Sequence, residues 1–149
     1  MTITEILAAA QQRGGGRTLS YQGVLSPVEA EQVRSLVPGC ALVDVRTRAE
    51  LDFVGRIPGS VEIEWQSWPG GEPNPHFLAH LERQVSRESL VMFICRSGAR
   101  SHAAATAAAA AGYTQCYNVL EGFQGDKDAG GHRDSVGGWR LAGLPWYQS

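Results

Sequence analysis

Leu90-Val91-Met92-Phe93-Ile94-Cys95-Arg96-Ser97-Gly98-Ala99-Arg100-Ser101 leads without interruption into an alanine-rich run that ends at Ala111-Gly112. The first five residues are continuously apolar, rich in β-branched and aromatic side chains, and too few for a helix, so they predict a buried strand. Ser101 to Ala111 has the strongest helix composition in the chain, and Gly112 stops it. A buried strand that passes through a short polar loop into a helix is a unit of an α/β fold. In such sheets, functional groups gather at the carboxyl ends of the strands. Cys95 stands at that end.

Further short apolar runs lie on both sides, at Ala41 to Val45, Ser60 to Ile63 and Cys116 to Leu120, and they predict additional buried strands. Helix starts recur between them. Ser26-Pro27-Val28-Glu29 and Thr47-Arg48-Ala49-Glu50 both read as capping boxes, the first with proline in the opening turn and stopped later by Pro38-Gly39. Asn74-Pro75 offers an amide cap for a helix carrying Phe77, Leu78 and Leu81. Strands alternating with helices predict a mainly parallel central sheet with helices on both faces. Ile3, Ile6, Leu7 and Ala10 predict a peripheral helix over about residues 2–12, closed by a flexible Gly14-Gly15-Gly16 break. From Glu121 the chain reads as a long glycine-rich surface loop anchored by tryptophan.

With 149 residues, 43% of them hydrophobic, the chain fits one domain over 1–149, its core at about 21–147. At this length a fold buries roughly 70% of its unfolded surface and needs neither metal nor disulfide. A net charge of -2 supplies no positive field for phosphate backbones or anionic membranes, so nucleic acid and membrane are not expected partners. Cys40, Cys95 and Cys116 are odd in number and widely spaced, which suits a reducing compartment. Met1 to Ala10 lacks the basic cluster of a secretory signal, and no segment has the ~20 apolar residues of a membrane span. The expected location is the cytoplasm.

The loop after the central strand concentrates the chemistry. If it curls over the start of the following helix, the amides of Arg96 to Ser101 point inward with the helix dipole behind them and form an anion cradle. Gly98 gives the backbone freedom that this curl requires. Such surroundings lower a thiol pKa from about 8.5 into the range of roughly 3.5–7.5, making Cys95 the candidate nucleophile. Arg96 and Arg100 offer planar cationic forks to an incoming dianion. Cys40 and Cys116, at the entrances of other strands, are read as inert buried thiols.

Taken together these motifs resemble the single-domain rhodanese-like sulfurtransferases. Leu42-Val43-Asp44-Val45-Arg46 with Glu50, Gly55-Arg56-Ile57-Pro58-Gly59-Ser60, the Cys95 to Ser101 loop, and Val119-Leu120-Glu121-Gly122-Phe123 with Trp139 are each similar to a signature of that family. The resemblance runs from about Tyr21 to Trp146. It implies a thiosulfate sulfurtransferase activity in which Cys95 takes sulfane sulfur from thiosulfate or a related persulfide donor. The sulfur then passes to cyanide, a thiol, or a protein acceptor. The loop residues Arg96, Ser97, Gly98, Ala99, Arg100 and Ser101 would bind the substrate. No metal or organic cofactor is implied.

The chain departs from the family pattern in having Arg56 where histidine is usual and in a stretched Gln124 to Val136 segment, read as a solvated loop rather than a polar flap. Asp44 and Arg46, near the loop, are candidates for tuning its charge, although an Arg46–Glu50 ion pair four residues apart is the favoured reading. His102 reads as a solvated surface residue, and His76, His80 and His132 are too scattered for a metal site. Trp65 and Trp68 are read either as walls of the pocket mouth or as partly buried packing. Two other functions stay open. One is a low-turnover persulfide carrier or partner-binding module. The other, a cysteine-dependent phosphatase, fits less well, because its arginine belongs six residues after the cysteine, where this chain has Ser101. The sequence does not determine the oligomeric state.

Overall fold

The computed structural model describes residues 2–15 and 20–149. Among these described residues ten elements follow in chain order: α1 (Ile3–Gly15), β1 (Gly23–Leu25), α2 (Pro27–Leu36), β2 (Ala41–Asp44), α3 (Arg48–Phe53), β3 (Val61–Glu62), α4 (Phe77–Gln84), β4 (Leu90–Ile94), α5 (Ala99–Ala110) and β5 (Gln115–Val119). The strands form one sheet in the order β1-β5-β4-β2-β3, and every pairing is parallel. β4 is the middle strand. All five of its residues are buried.

Alternation along β4 divides the core between the two faces of the sheet. Val91, Phe93 and Cys95 join one cluster with Phe77 and Leu81 of α4 and Ala104, Ala105 and Ala108 of α5. Leu90, Met92 and Ile94 join the other, with Ile6 and Ala10 of α1, Ala30 and Val33 of α2, and Phe123 and Trp139 from the C-terminal segment. Alanines facing the sheet let α5 lie close to it, which brings the helix start to the end of β4. This is the expected α/β architecture, with helices on both faces of a parallel sheet.

Both capping boxes form: Ser26 with Glu29 and Thr47 with Glu50 exchange side-chain and backbone bonds in each direction. Three elements differ from the sequence reading. The first concerns Asn74-Pro75, which does not cap α4: His76 occupies the cap without a side-chain bond. Asn74 instead accepts from the His76 amide at 3.0 Å and donates to the Glu64 carbonyl at 2.8 Å, so its amide shapes the preceding turn. The second is the glycine break, because α1 continues through Gly14 and Gly15, while Gly16 lies outside the described residues. Ile6, Ala10 and Gly14 form one buried face at four-residue spacing, and Arg13 holds Glu29 by two bonds of 2.6 Å; this tertiary anchoring overrides the poor helix propensity of glycine. The third is β1, a strand of only three residues that the apolar runs did not indicate. None of the helices is long and apolar enough, among the described residues, to cross a membrane.

Candidate active site

Cys95 is the first residue beyond β4, and its side chain belongs to the core cluster beneath α5. The chain turns at Gly98, whose φ of 112° lies in the left-handed region, and α5 begins at Ala99. That turn aims the Gly98 amide at the sulfur: its N–H donates to Cys95 Sγ at 3.1 Å. Ser101, in the first turn of α5, places its hydroxyl 3.3 Å from the same atom. The thiol is thus seated at a helix N-terminus between an amide and a hydroxyl.

Ser101 does not stand alone. Its Oγ donates to Asn118 Oδ1 at 2.6 Å and lies 3.2 Å from the Gly98 carbonyl, which also accepts from Asn118 Nδ2 at 3.2 Å. Asn118, on β5, therefore ties loop and helix start together. Sequence reasoning missed it. The available signal was one polar residue inside the apolar run 116–120, because a buried amide must find partners.

A second support comes from the segment after β5. Phe123 N–H donates to the Cys95 carbonyl at 2.8 Å, and the amides of Gln124 and Gly125 donate to the Arg96 carbonyl at 3.0 and 3.1 Å. Gly122, at φ 63°, passes so near that a Cβ on it would lie 2.5 Å from the Cys95 oxygen. The stretched segment thus begins as a clamp on the loop. Farther along, Asp128 accepts from the amides of Gly130 and His132 and from Ser135 Oγ, closing a polar turn of its own.

The two arginines of the loop have different fates. Arg100 is engaged by Glu50 through two bonds, Nη1 to Oε1 at 2.7 Å and Nη2 to Oε2 at 2.9 Å. Burial pushes the Glu50 carboxyl up, but the bonds from Arg100 and Thr47 outweigh it and bring the group down to about 2. Arg96 is exposed and has no ion-pair partner among the described residues. Ser97 is half-buried, and Ala99 is exposed on the first turn of α5. Arg96 and Arg100 share a recess of about 210 Å³ with Thr47, Glu50, Gln66, Ser67, Trp68 and Gly71. A larger recess, of about 340 Å³ beside Arg48, Arg56 and His80, shares no residue with the loop.

The expected Arg46–Glu50 pair does not form. Arg46 is fully buried and binds Asp44 instead, Nη2 to Oδ2 at 2.7 Å and Nε to Oδ1 at 3.0 Å, and it also donates to the Gly55 carbonyl. Its guanidinium lies 4.0 Å from the centre of the Phe123 ring. Asp44 is buried too, and an interior carboxylate demands a cation at its side, whereas Glu50 is already committed to the α3 cap and to Arg100. The two tryptophans separate: Trp65 packs edge-on against Phe77 at 5.1 Å, while Trp68, 69% exposed, stands at the recess mouth.

The remaining candidates fall away from the sulfur. His102 is exposed as expected but is not simply solvated, since its Nδ1 lies 2.6 Å from the Tyr21 hydroxyl. Burial pushes the Cys116 thiol up to about 12 and raises that of Cys40, leaving both poor nucleophiles at neutral pH. No group of three or more potential metal ligands occurs among the described residues.

Comparison with known proteins agrees with this geometry. Residues 29–129 match the rhodanese-like domain. The Rv0390 protein of M. tuberculosis, known from a crystal structure, is 44% identical and superposes with a TM-score of 0.80 over 87% of this chain and 99% of its own. The RP600 homolog of Rickettsia rickettsii is 37% identical over 111 residues, spanning 70% of this chain and 80% of that protein. The polysulfide-sulfur transferase of Wolinella succinogenes, 21% identical, shares the fold with a TM-score of 0.60 over 96% of this chain and 85% of its own. A parallel sheet with a cysteine loop at the end of its middle strand, joined to these likenesses in sequence, leads to one assignment: the chain belongs to the rhodanese-like family.

Proposed function

We propose that this protein is a sulfurtransferase that carries sulfane sulfur on Cys95, the whole chain acting as one domain in a reducing compartment, the cytoplasm. The observation that carries the reading is the seat of Cys95 Sγ, with the Gly98 amide at 3.1 Å and the Ser101 hydroxyl at 3.3 Å at the start of α5. Donors aimed at sulfur stabilise a thiolate and, after transfer, a persulfide anion. In the first step the thiolate attacks the outer sulfur of thiosulfate; the new S–S bond forms as the old one breaks, and sulfite leaves with the electron pair. Cys95–S⁻ and S–SO₃²⁻ become Cys95–S–S⁻ and SO₃²⁻. In the second step cyanide or a thiolate attacks the terminal sulfur, takes it, and returns Cys95 as thiolate. First-turn amides of a helix have no carbonyl one turn behind them, so those of α5 supply donors for the second sulfur. Neither step calls for a metal or organic cofactor.

Phosphate transfer fits this loop less well, because Ser101 holds the place of a phosphatase arginine and Arg100, one residue earlier, is bound by Glu50. The deciding measurement is the intact mass of the reduced protein and of its Cys95→Ser variant after thiosulfate, with released sulfite quantified. Gain of one sulfur atom by the unsubstituted protein alone, matched by sulfite, is the expected result. No gain, with the Cys95 thiol shown to be reactive by alkylation, would remove thiosulfate as donor. Rapid transfer from a preformed persulfide to one protein, beside slow transfer to small acceptors, would identify a carrier.

A further inference from the structure

Glu50 reaches the recess over the loop for a reason its helix does not require. As the third residue of α3 and the partner of Thr47 in its capping box, it binds the Thr47 amide and hydroxyl through Oε1, both at 3.1 Å, and a glutamine amide oxygen satisfies those donors equally well. What glutamine lacks is the charge that engages Arg100 from fifty residues away in the chain. Glu50 and Arg100 line the recess beside Arg96, and the other wall residues, Thr47, Gln66 and Trp68 among them, are uncharged. The walls therefore hold two cations and one anion. Arg100 has its fork filled, and Arg96 is left as the cation without a carboxylate partner among the described residues.

We propose that Glu50 sets the charge selectivity of this recess: by neutralising Arg100 it favours sulfur donors that carry one negative charge at the reacting end over dianions such as thiosulfate. The inference rests on Cys95 being the sulfur acceptor. A dianion entering the recess meets one uncompensated guanidinium and the Glu50 carboxylate, whereas a monoanion is matched by Arg96 alone. Glu50 acts through Arg100 and is a positioning residue, not a catalytic one. A monoanionic donor of nearly the same shape is the methanethiosulfonate anion, CH₃SO₂–S⁻. The Cys95 thiolate attacks its outer sulfur, giving Cys95–S–S⁻ and the sulfinate CH₃SO₂⁻.

The test compares kcat/KM for thiosulfate and methanethiosulfonate in the unsubstituted protein and in Glu50→Gln, Arg100→Gln and the double variant, at low ionic strength where charge effects are least screened. Glu50→Gln frees Arg100, so the thiosulfate-to-thiosulfonate ratio rises about tenfold, through KM rather than kcat. Arg100→Gln leaves Glu50 unopposed, and the ratio falls by a similar factor. The double variant removes one charge of each sign and returns the ratio to within about twofold of the unsubstituted value. A merely structural role would shift all three variants in one direction, and that result overturns the proposal.

Alkylation separates failure of the charge selectivity from failure of the sulfur-transfer reading. The rates of modification of the Cys95 peptide by anionic iodoacetate and neutral iodoacetamide, followed by mass, must show the same order of ratios even if no sulfur is transferred. Unchanged ratios overturn the proposal, and so does absence of modification by either reagent, because the recess would then not lead to Sγ.

Discussion

Asn118 Oδ1 accepts the Ser101 hydroxyl at 2.6 Å, the shortest of the bonds that surround Cys95. A hydroxyl has one proton. While it is given to Asn118, the oxygen is free to accept the Cys95 thiol proton across 3.3 Å, and once the sulfur is a thiolate the same proton is available to it by rotation about the Ser101 side chain. Asn118 fixes the starting position of that rotor and, through Nδ2, the Gly98 carbonyl below it. Ser101→Ala removes the donor and leaves a buried amide oxygen unpaired, so it should cost about 1–3 kcal/mol of stability and slow sulfur transfer about tenfold. Adding Asn118→Val removes the orphaned group. Denaturant unfolding should then show stability restored while transfer stays slow; recovery of both would assign the pair to packing alone.

Gly122 supplies a geometric prediction. Its φ of 63° suits glycine, and an added Cβ would lie 2.5 Å from both the Cys95 oxygen and the Arg96 carbonyl carbon. Both are backbone atoms of the loop that carries the sulfur, and neither can rotate away. Gly122→Ala should therefore destabilise the fold by at least about 2 kcal/mol and reduce transfer more than tenfold in the protein that remains folded. Gly143→Ala is the matched control, with φ of 77° and nothing within 4 Å of the added carbon. It should cost only the left-handed backbone, about 1 kcal/mol, with transfer unchanged. Equal effects on transfer in the two variants would mean that the clamp does not hold the loop.

The features that sequence reading found here are governed by short-range rules. The apolar run Leu90 to Ile94 is a strand to the residue, and both capping boxes form because their partners are three residues apart. The Cys95 loop is legible for the same reason. Partner choice among charges was not legible: Arg46 lies before α3, so helical i,i+4 spacing does not bring it to Glu50 and it turns to the buried Asp44 two residues away, while Glu50 takes Arg100 from fifty residues along the chain, a partner that no local spacing indicates. Packing likewise kept Gly14 helical against local propensity. Asn118 was hidden because its role exists only once β5 lies beside β4, where Asn118 pairs with Phe93.

The Asp44–Arg46 pair should show the asymmetry of buried charges. Both side chains have no solvent exposure, and Arg46 also holds the Gly55 carbonyl at 2.8 Å. Arg46→Met leaves a carboxylate in the interior without its cation, for an expected loss of about 3–5 kcal/mol in urea unfolding. Asp44→Asn combined with Arg46→Met removes both charges and should recover most of that loss. A single-variant cost below about 1 kcal/mol would mean that water reaches Asp44 when the guanidinium is gone.

Acid should weaken the fold through Glu50 in a defined window. Its carboxyl sits at about 2 in the folded protein against an ordinary 4.5, burial being outweighed by Arg100 and Thr47. The folded value is the lower one, so the unfolded chain binds the proton first, and the contribution of the ionised group is fully present above about 4.5 and lost as pH falls toward 2. Glu50→Gln keeps the cap but has no proton to take up. The difference in Tm between the unsubstituted protein and Glu50→Gln should therefore be constant from pH 7 to about 5 and shrink steadily between about 4.5 and 2. Parallel Tm profiles across that window would show that Glu50 titrates alike folded and unfolded, and the Arg100 pair would then carry no weight in acid stability.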